Sequence, residues 1–174
     1  MGATEVKGDI NGTNQIVRML LPKREMFQDE LISGEVELTI GAPIEVYGMS
    51  LIFMGQDYVK FIKENNPDYE KSELRLIQEF KIDLHQMFGV VTNSSSLILQ
   101  NGIFKIPFSL SFPPTAAPSF EYEKNDGHVN IKNYILAKLS FNPKYIPNSN
   151  LPSEGQIVVK QLLIIKSIPA VISL

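Results

Sequence analysis

Residues Ile103 to Phe120 read IFKIPFSLSFPPTAAPSF, and this stretch decides the fold class. Phe104, Ile106, Phe108, Leu110 and Phe112 occupy every second position, with Lys105, Pro107, Ser109 and Ser111 between them. Successive side chains of a strand point to opposite faces, so the run is one strand with a strongly apolar, ring-rich face. Pro113-Pro114 ends it, because proline has no N–H for a ladder, and Pro107 inside it predicts an edge position or a bulge. A face this aromatic requires a second layer opposite it.

Outward from this stretch, the chain supplies that layer as further strands. Val36, Leu38 and Ile40 alternate with Glu35, Glu37 and Thr39, a half-buried strand closed by Gly41-Ala42-Pro43. Strands are also predicted over Ile16–Leu21, Ile44–Phe53 with a continuation at Tyr58–Ile62, Leu97–Leu99, Val129–Phe141 and Ile157–Ile168. Glu5-Val6-Lys7 reads as a short edge strand. Leu74, Ile77 and Phe80 are spaced three apart, which predicts a short helix or a loop over Glu70–Glu79, followed by a strand over Phe80–Phe88. Glu121–His128 reads as an acidic loop and Asn142–Glu154, with its prolines, as another. Strands of this length between turn clusters predict an all-β, antiparallel β-sandwich with at most one short helix.

The 174 residues are expected to form a single domain, with its core over about 5–168. A net charge of −3 offers no bulk attraction to nucleic acid or to an anionic membrane, so any anion site must be a local patch. Without cysteine there is neither a disulfide framework nor a thiolate metal site. The N-terminus lacks the apolar core of a signal peptide, and Ile157–Leu174 is broken by Lys160, Lys166 and Pro169. The expected location is cytoplasmic, which makes the Asn11 and Asn93 sequons chance matches.

No catalytic constellation is present. His85 and His128 have no ligand-spaced partners, and no glycine-rich phosphate loop or nucleophile elbow occurs. His85, between Leu84 and Gln86, reads as an exposed strand residue. Glu121, Glu123 and Asp126 lack the spacing of an EF-hand calcium loop and read as solvated acids. Asn66-Pro67-Asp68-Tyr69 and Asn142-Pro143-Lys144-Tyr145 match the Asn-Pro-x-Tyr sorting signal, although Asn-Pro also starts ordinary turns. The expectation is therefore a non-enzymatic protein without metal or cofactor.

Several motifs stand in a suggestive order. Leu21-Pro22-Lys23-Arg24-Glu25 is followed by Gly34-Glu35-Val36-Glu37-Leu38, then Met49–Gly55, then Ile106–Pro113, then Pro118-Ser119-Phe120 and Val129–Leu139. Together they resemble the N-terminal domain of the arrestin family over nearly the whole chain. The resemblance implies an immunoglobulin-like β-sandwich acting as an adaptor. Such a domain binds cytosolic tails of membrane receptors or transporters, phosphorylated or plain, and links them to trafficking or ubiquitin-ligase machinery. Arrestins carry a second sandwich of similar size, so the chain is expected to be either a single-domain relative or one domain of a longer protein, with 169–174 the start of a linker or tail; the clathrin, adaptor and Pro-Pro-x-Tyr motifs of the family's tails do not occur here. The other reading is a structural sandwich module that binds a protein, or a second copy as a homodimer, through an exposed apolar face.

The resemblance also assigns residues. The matching Lys-Arg in arrestins receives cargo phosphates together with edge-strand lysines, which implies Lys7, Lys23 and Arg24 here. An edge strand offers unpaired N–H and C=O groups to an extended peptide while Lys and Arg grip phosphate oxygens. Both faces of Ile157–Ile168 are mostly apolar, which predicts a central strand with Lys160 either buried between Val158 and Leu162 or snorkelling to solvent at the sandwich rim. A buried ammonium needs a carboxylate. In arrestins the aligned basic residue sits in a buried polar cluster with the acid that follows Lys-Arg, which implies a buried polar pair of Glu25 and Lys160.

Overall fold

The chain alternates strand and turn: β1 (Thr4–Ile10), β2 (Gln15–Leu21), β3 (Glu25–Phe27), β4 (Leu31–Ile40), β5 (Ile44–Phe61), β6 (Tyr69–Ile82), α1 (Leu84–Met87), β7 (Leu97–Leu99), β8 (Gly102–Ser111), β9 (Phe120–Lys124), β10 (Gly127–Phe141) and β11 (Gln156–Lys166). The computed structural model describes residues 4–10, 15–62, 68–144 and 155–168, with side chains from Val17 onward. A four-stranded sheet has the order β1-β2-β4-β8. The larger sheet runs β3-β11-β10-β5-β6, with β7 added to β5 and β9 added to β10. All pairings are antiparallel except β3 with β11.

The two sheets close on one core. Met19, Leu21, Ile32, Val36, Leu38 and Ile106 project from the smaller sheet, and Leu51, Phe53, Ile135, Leu139, Val159 and Leu163 from the larger. Phe53 takes the ring edges of Phe80 and Phe112 at 5.8 and 6.3 Å. Such pairs add about 0.5–1.5 kcal/mol beyond the area they bury. The ring-rich face of β8 is therefore the inner one, and β8 ends its sheet, pairing only with β4. That edge position is what tolerates Pro107. Gly34, opposite Phe108, is required by packing: a Cβ there would sit 2.7 Å from Leu20 O, Leu21 Cδ2 and Phe108 Cζ.

Between β8 and β9 the chain crosses from one sheet to the other, and Ser119 secures the crossing. Its N–H donates to Ile165 O at 2.8 Å, and its Oγ accepts from Ile165 N–H at 3.0 Å. Buried Asn133 donates through Nδ2 to Ala117 O at 3.0 Å and Ser119 Oγ at 3.2 Å. The segment thus continues the hydrogen bonding of β11 past the point where β10 stops pairing with it.

Three local expectations need correction. Residues 70–79 are strand, not helix or loop. The register between β5 and β6 shifts at Phe53/Met54, where Phe53 faces Gln78 and Met54 faces Leu76, leaving Ile77 as the extra residue. One inserted residue turns a spacing of two into three, so Ile77 and Phe80 both pack on the core and imitate a helix. The strand also ends at Ile82 rather than Phe88, because Asp83 accepts from Gln86 N–H at 3.1 Å and caps a single helical turn. The acidic stretch is a hairpin, with Asn125-Asp126 turning β9 into β10. No helix among the described residues is long and apolar enough to cross a membrane.

Candidate functional site

The candidate site is the corner where β1 edges the smaller sheet and the chain leaves β2 for β3. β1 stands at the end of the sheet order and pairs with β2, with Thr4 opposite Leu21 and Lys7 opposite Arg18. The side chain of Lys7 lies outside the described set. Pro22 then ends β2, and Lys23 and Arg24 follow on the exposed turn. From Arg18 to Lys23 is five positions, about 16 Å of extended chain. The backbone register thus sets Lys7 beside Arg18 on the sheet edge, five positions before the Lys23-Arg24 turn.

Their electrostatic states differ. Lys23 is bonded to Glu30, and the Lys23 ammonium holds the Glu30 carboxyl below the ordinary carboxylate range. Arg24 is exposed and makes no ion pair among the described residues, while its backbone O accepts from Ile164 N–H at 2.9 Å. Its position is thus fixed by β11 and its guanidinium is presented to solvent. Inward along the same sheet, Arg18 Nη1 reaches Glu37 Oε1 at 2.9 Å, and Lys105 stands opposite Glu37 on β8. Sequence reasoning passed over Arg18, Glu37 and Lys105. Each looks like an ordinary polar position in an alternating strand, and only the register aligns them with Lys7.

The predicted buried pair of Glu25 and Lys160 is not formed. Burial along β11 alternates strictly up to Leu163, with Ile157, Val159, Gln161, Leu163 and Ile165 inward, so Lys160 falls on the outward face. Its ammonium sits 3.9 Å over the Tyr134 ring, a cation–π contact that needs no carboxylate. β3 meets β11 four residues further on, at Ile164 opposite Glu25, roughly 13 Å along the strand. The basic residue beside Glu25 is consequently Lys166, at 3.3 Å with both side chains about half exposed. A pair this exposed contributes at most about 1 kcal/mol.

Other candidates resolve as follows. His85 lies on α1, not on a strand, and its Nε2 is 3.1 Å from Ser96 O. Asn142 closes a turn: its Nδ2 donates to Glu45 Oε2 at 2.9 Å and its Oδ1 accepts from Lys144 N–H at 3.0 Å. Tyr145 and residues Asn66 and Pro67 lie outside the described set; Tyr69 opens β6 and stacks on Phe61 at 6.3 Å. Glu121 and Glu123 converge on His128 across the β9–β10 hairpin, while Asp126 does not join them.

Comparison with known proteins sets the frame. No curated protein matches the chain. Among solved structures, the sporulation control protein Spo0M of Bacillus subtilis superposes with a TM-score of 0.56 at 13% identity, over 86% of this chain and 48% of that one. Squid arrestin superposes with a TM-score of 0.49 at 8% identity, over 98% of this chain and 55% of that one. This chain thus spans about half the length of each. At this identity the likeness to Spo0M concerns the fold alone. The family model described as "Arrestin (or S-antigen), N-terminal domain" matches residues 19–146, well over half of the sequence. On that match the chain belongs to the arrestin family through its N-terminal domain.

Proposed function

We propose that this is a non-enzymatic adaptor domain that takes an extended, anionic tail of a membrane protein along its β1 edge and links it to trafficking or signalling machinery. The observation that carries the reading is Arg24: a guanidinium exposed and without an ion pair among the described residues, held by its own backbone bond to β11 at the corner where β1 begins. Strand addition supplies main-chain hydrogen bonds, and Lys7, Lys23 and Arg24 supply charge-assisted ones, each contributing roughly 1.5–3 kcal/mol. The tail that fits best carries phosphates or acids about five residues apart, the separation of Lys7's partner Arg18 from Lys23. Glu30 occupies Lys23 in the free protein, so an incoming phosphate replaces a carboxylate already in place.

The test is titration of a doubly phosphorylated acidic tail peptide and its plain counterpart against the whole chain. Binding of the phosphorylated form is expected to weaken with salt and to vanish in the double variant Lys23→Glu, Arg24→Glu, with the melting temperature nearly unchanged. Glu30→Gln is expected to tighten it several-fold by freeing Lys23. Phosphopeptide binding that survives the double reversal would refute the assignment. The scaffold reading draws on β6, an edge strand whose Leu74 and Leu76 are 58% and 63% exposed. It predicts concentration-dependent association in sedimentation that Leu76→Glu abolishes.

A further inference from the structure

We propose that the β9–β10 hairpin holds a divalent transition-metal ion, zinc by ligand type, between Glu121, Glu123 and His128. Register creates the site. Glu123 stands directly opposite His128, and Glu121 opposite Asn130, and residues opposed in an antiparallel pair share a face. Two carboxylates and an imidazole therefore project together, with ligand atoms all within 4.8 Å of one another and Glu121 Oε1 3.5 Å from His128 Nε2. The spacing that a loop would not provide is provided by the hairpin.

The imidazole is oriented by its neighbours. His128 is half-buried, with its ring edge-on to Tyr58 at 5.3 Å. Asn130 Nδ2 lies 3.3 Å from Nε2 and Glu121 Oε1 3.5 Å from it, so this ring nitrogen is the one turned toward the cluster. From β5, Lys60 stands opposite His128 and Tyr58 opposite Asn130, which makes the Lys60 ammonium the local competitor for the same carboxylates.

The hairpin also has a mechanical use for the ion. Every residue of β9 is exposed, so the strand is held to β10 by its ladder without a buried face. Behind it β10 is paired with β5, so β9 is an added edge strand with no packed layer of its own. Two like charges on alternate residues weaken it further, and a cation between them converts that repulsion into a cross-link to β10. Imidazole with carboxylates suits zinc, whereas calcium takes oxygen ligands and would leave His128 unused. Three protein ligands leave a fourth position for water or for a carboxylate of a bound protein.

Calorimetric titration of the whole chain with zinc chloride alone tests this. One ion per chain is expected, with a rise in melting temperature. His128→Ala, and separately the double variant Glu121→Gln, Glu123→Gln, should each weaken binding more than about a hundredfold, beyond what loss of an outer contact typically costs. His85→Ala and Asp126→Asn should bind as the parent does, and Lys60→Ala at least as tightly. All these positions are exposed or half-exposed, and melting of the metal-free variants verifies folding. Absence of saturable zinc binding, or zinc binding unchanged by both site variants, would overturn the proposal. So would calcium binding in preference to zinc.

Discussion

β8 and β9 are consecutive strands with the same kind of alternation and opposite fates. In β8, Phe104, Ile106, Phe108 and Leu110 alternate with polar residues and turn toward the core, with Ile106 fully buried. In β9, Phe120, Tyr122 and Lys124 alternate with Glu121 and Glu123, and all five residues are exposed. Alternation establishes two unlike faces but does not say whether a second layer covers either. β8 has the larger sheet opposite it; β9 is added to β10 at the margin of the larger sheet with both of its faces exposed.

This contrast can be broken or sharpened by substitution. Ile106→Ala, at the centre of the covered face, is expected to cost about 2–5 kcal/mol in denaturant unfolding, because the surrounding core fills the cavity only partly. A loss below 1 kcal/mol would show that β8 does not face a packed layer. Ser119→Ala, on the crossing between the two strands, leaves Ile165 N–H without its acceptor and should cost about 1–3 kcal/mol. Serine-to-threonine at this position is the sharper control, since it keeps the hydroxyl. Tyr122→Ala, on the uncovered strand, is expected to change stability by no more than about 0.5 kcal/mol. A loss as large as that of Ile106→Ala would mean that another layer covers β9.

Much of the fold was legible in the residues. Period-two runs located β2, β4, β5, β8, β10 and β11, and of the edge position or bulge that Pro107 allowed, β8 takes the edge. What failed did so for one reason: a sequence pattern reports local period, whereas register is set by a distant strand. Ile77 and Phe80 looked helical because a bulge opposite Phe53/Met54 inserts a residue. Lys160 looked buried because both faces of its strand are apolar, and only the pairing shows which face meets the core. The same limit applies at the sites. The exposed Lys23-Arg24 turn could be read from Pro22 and the charges after it. The row of Arg18, Glu37 and Lys105, and the convergence of Glu121 and Glu123 on His128, depend on registers that no local stretch contains.

The parallel pairing of β3 with β11 joins residues 139 apart, as 164 − 25, through only three pairs. Closing a loop of that length from an open chain costs about 4 kcal/mol in entropy before any constant is added, against about 1 kcal/mol for the three-residue separation at the β9–β10 turn. Three pairs of a half-exposed strand do not offset that cost, so this clasp forms late in folding, after the intervening strands have drawn its halves together. By the same logic it opens early. Ile164 N–H, which bonds Arg24 O, should exchange with solvent well before the amides of β10 around Ile135. Arg24 is thus anchored by the contact that folding completes last, and a chain whose sheets have already assembled can still lack its basic corner.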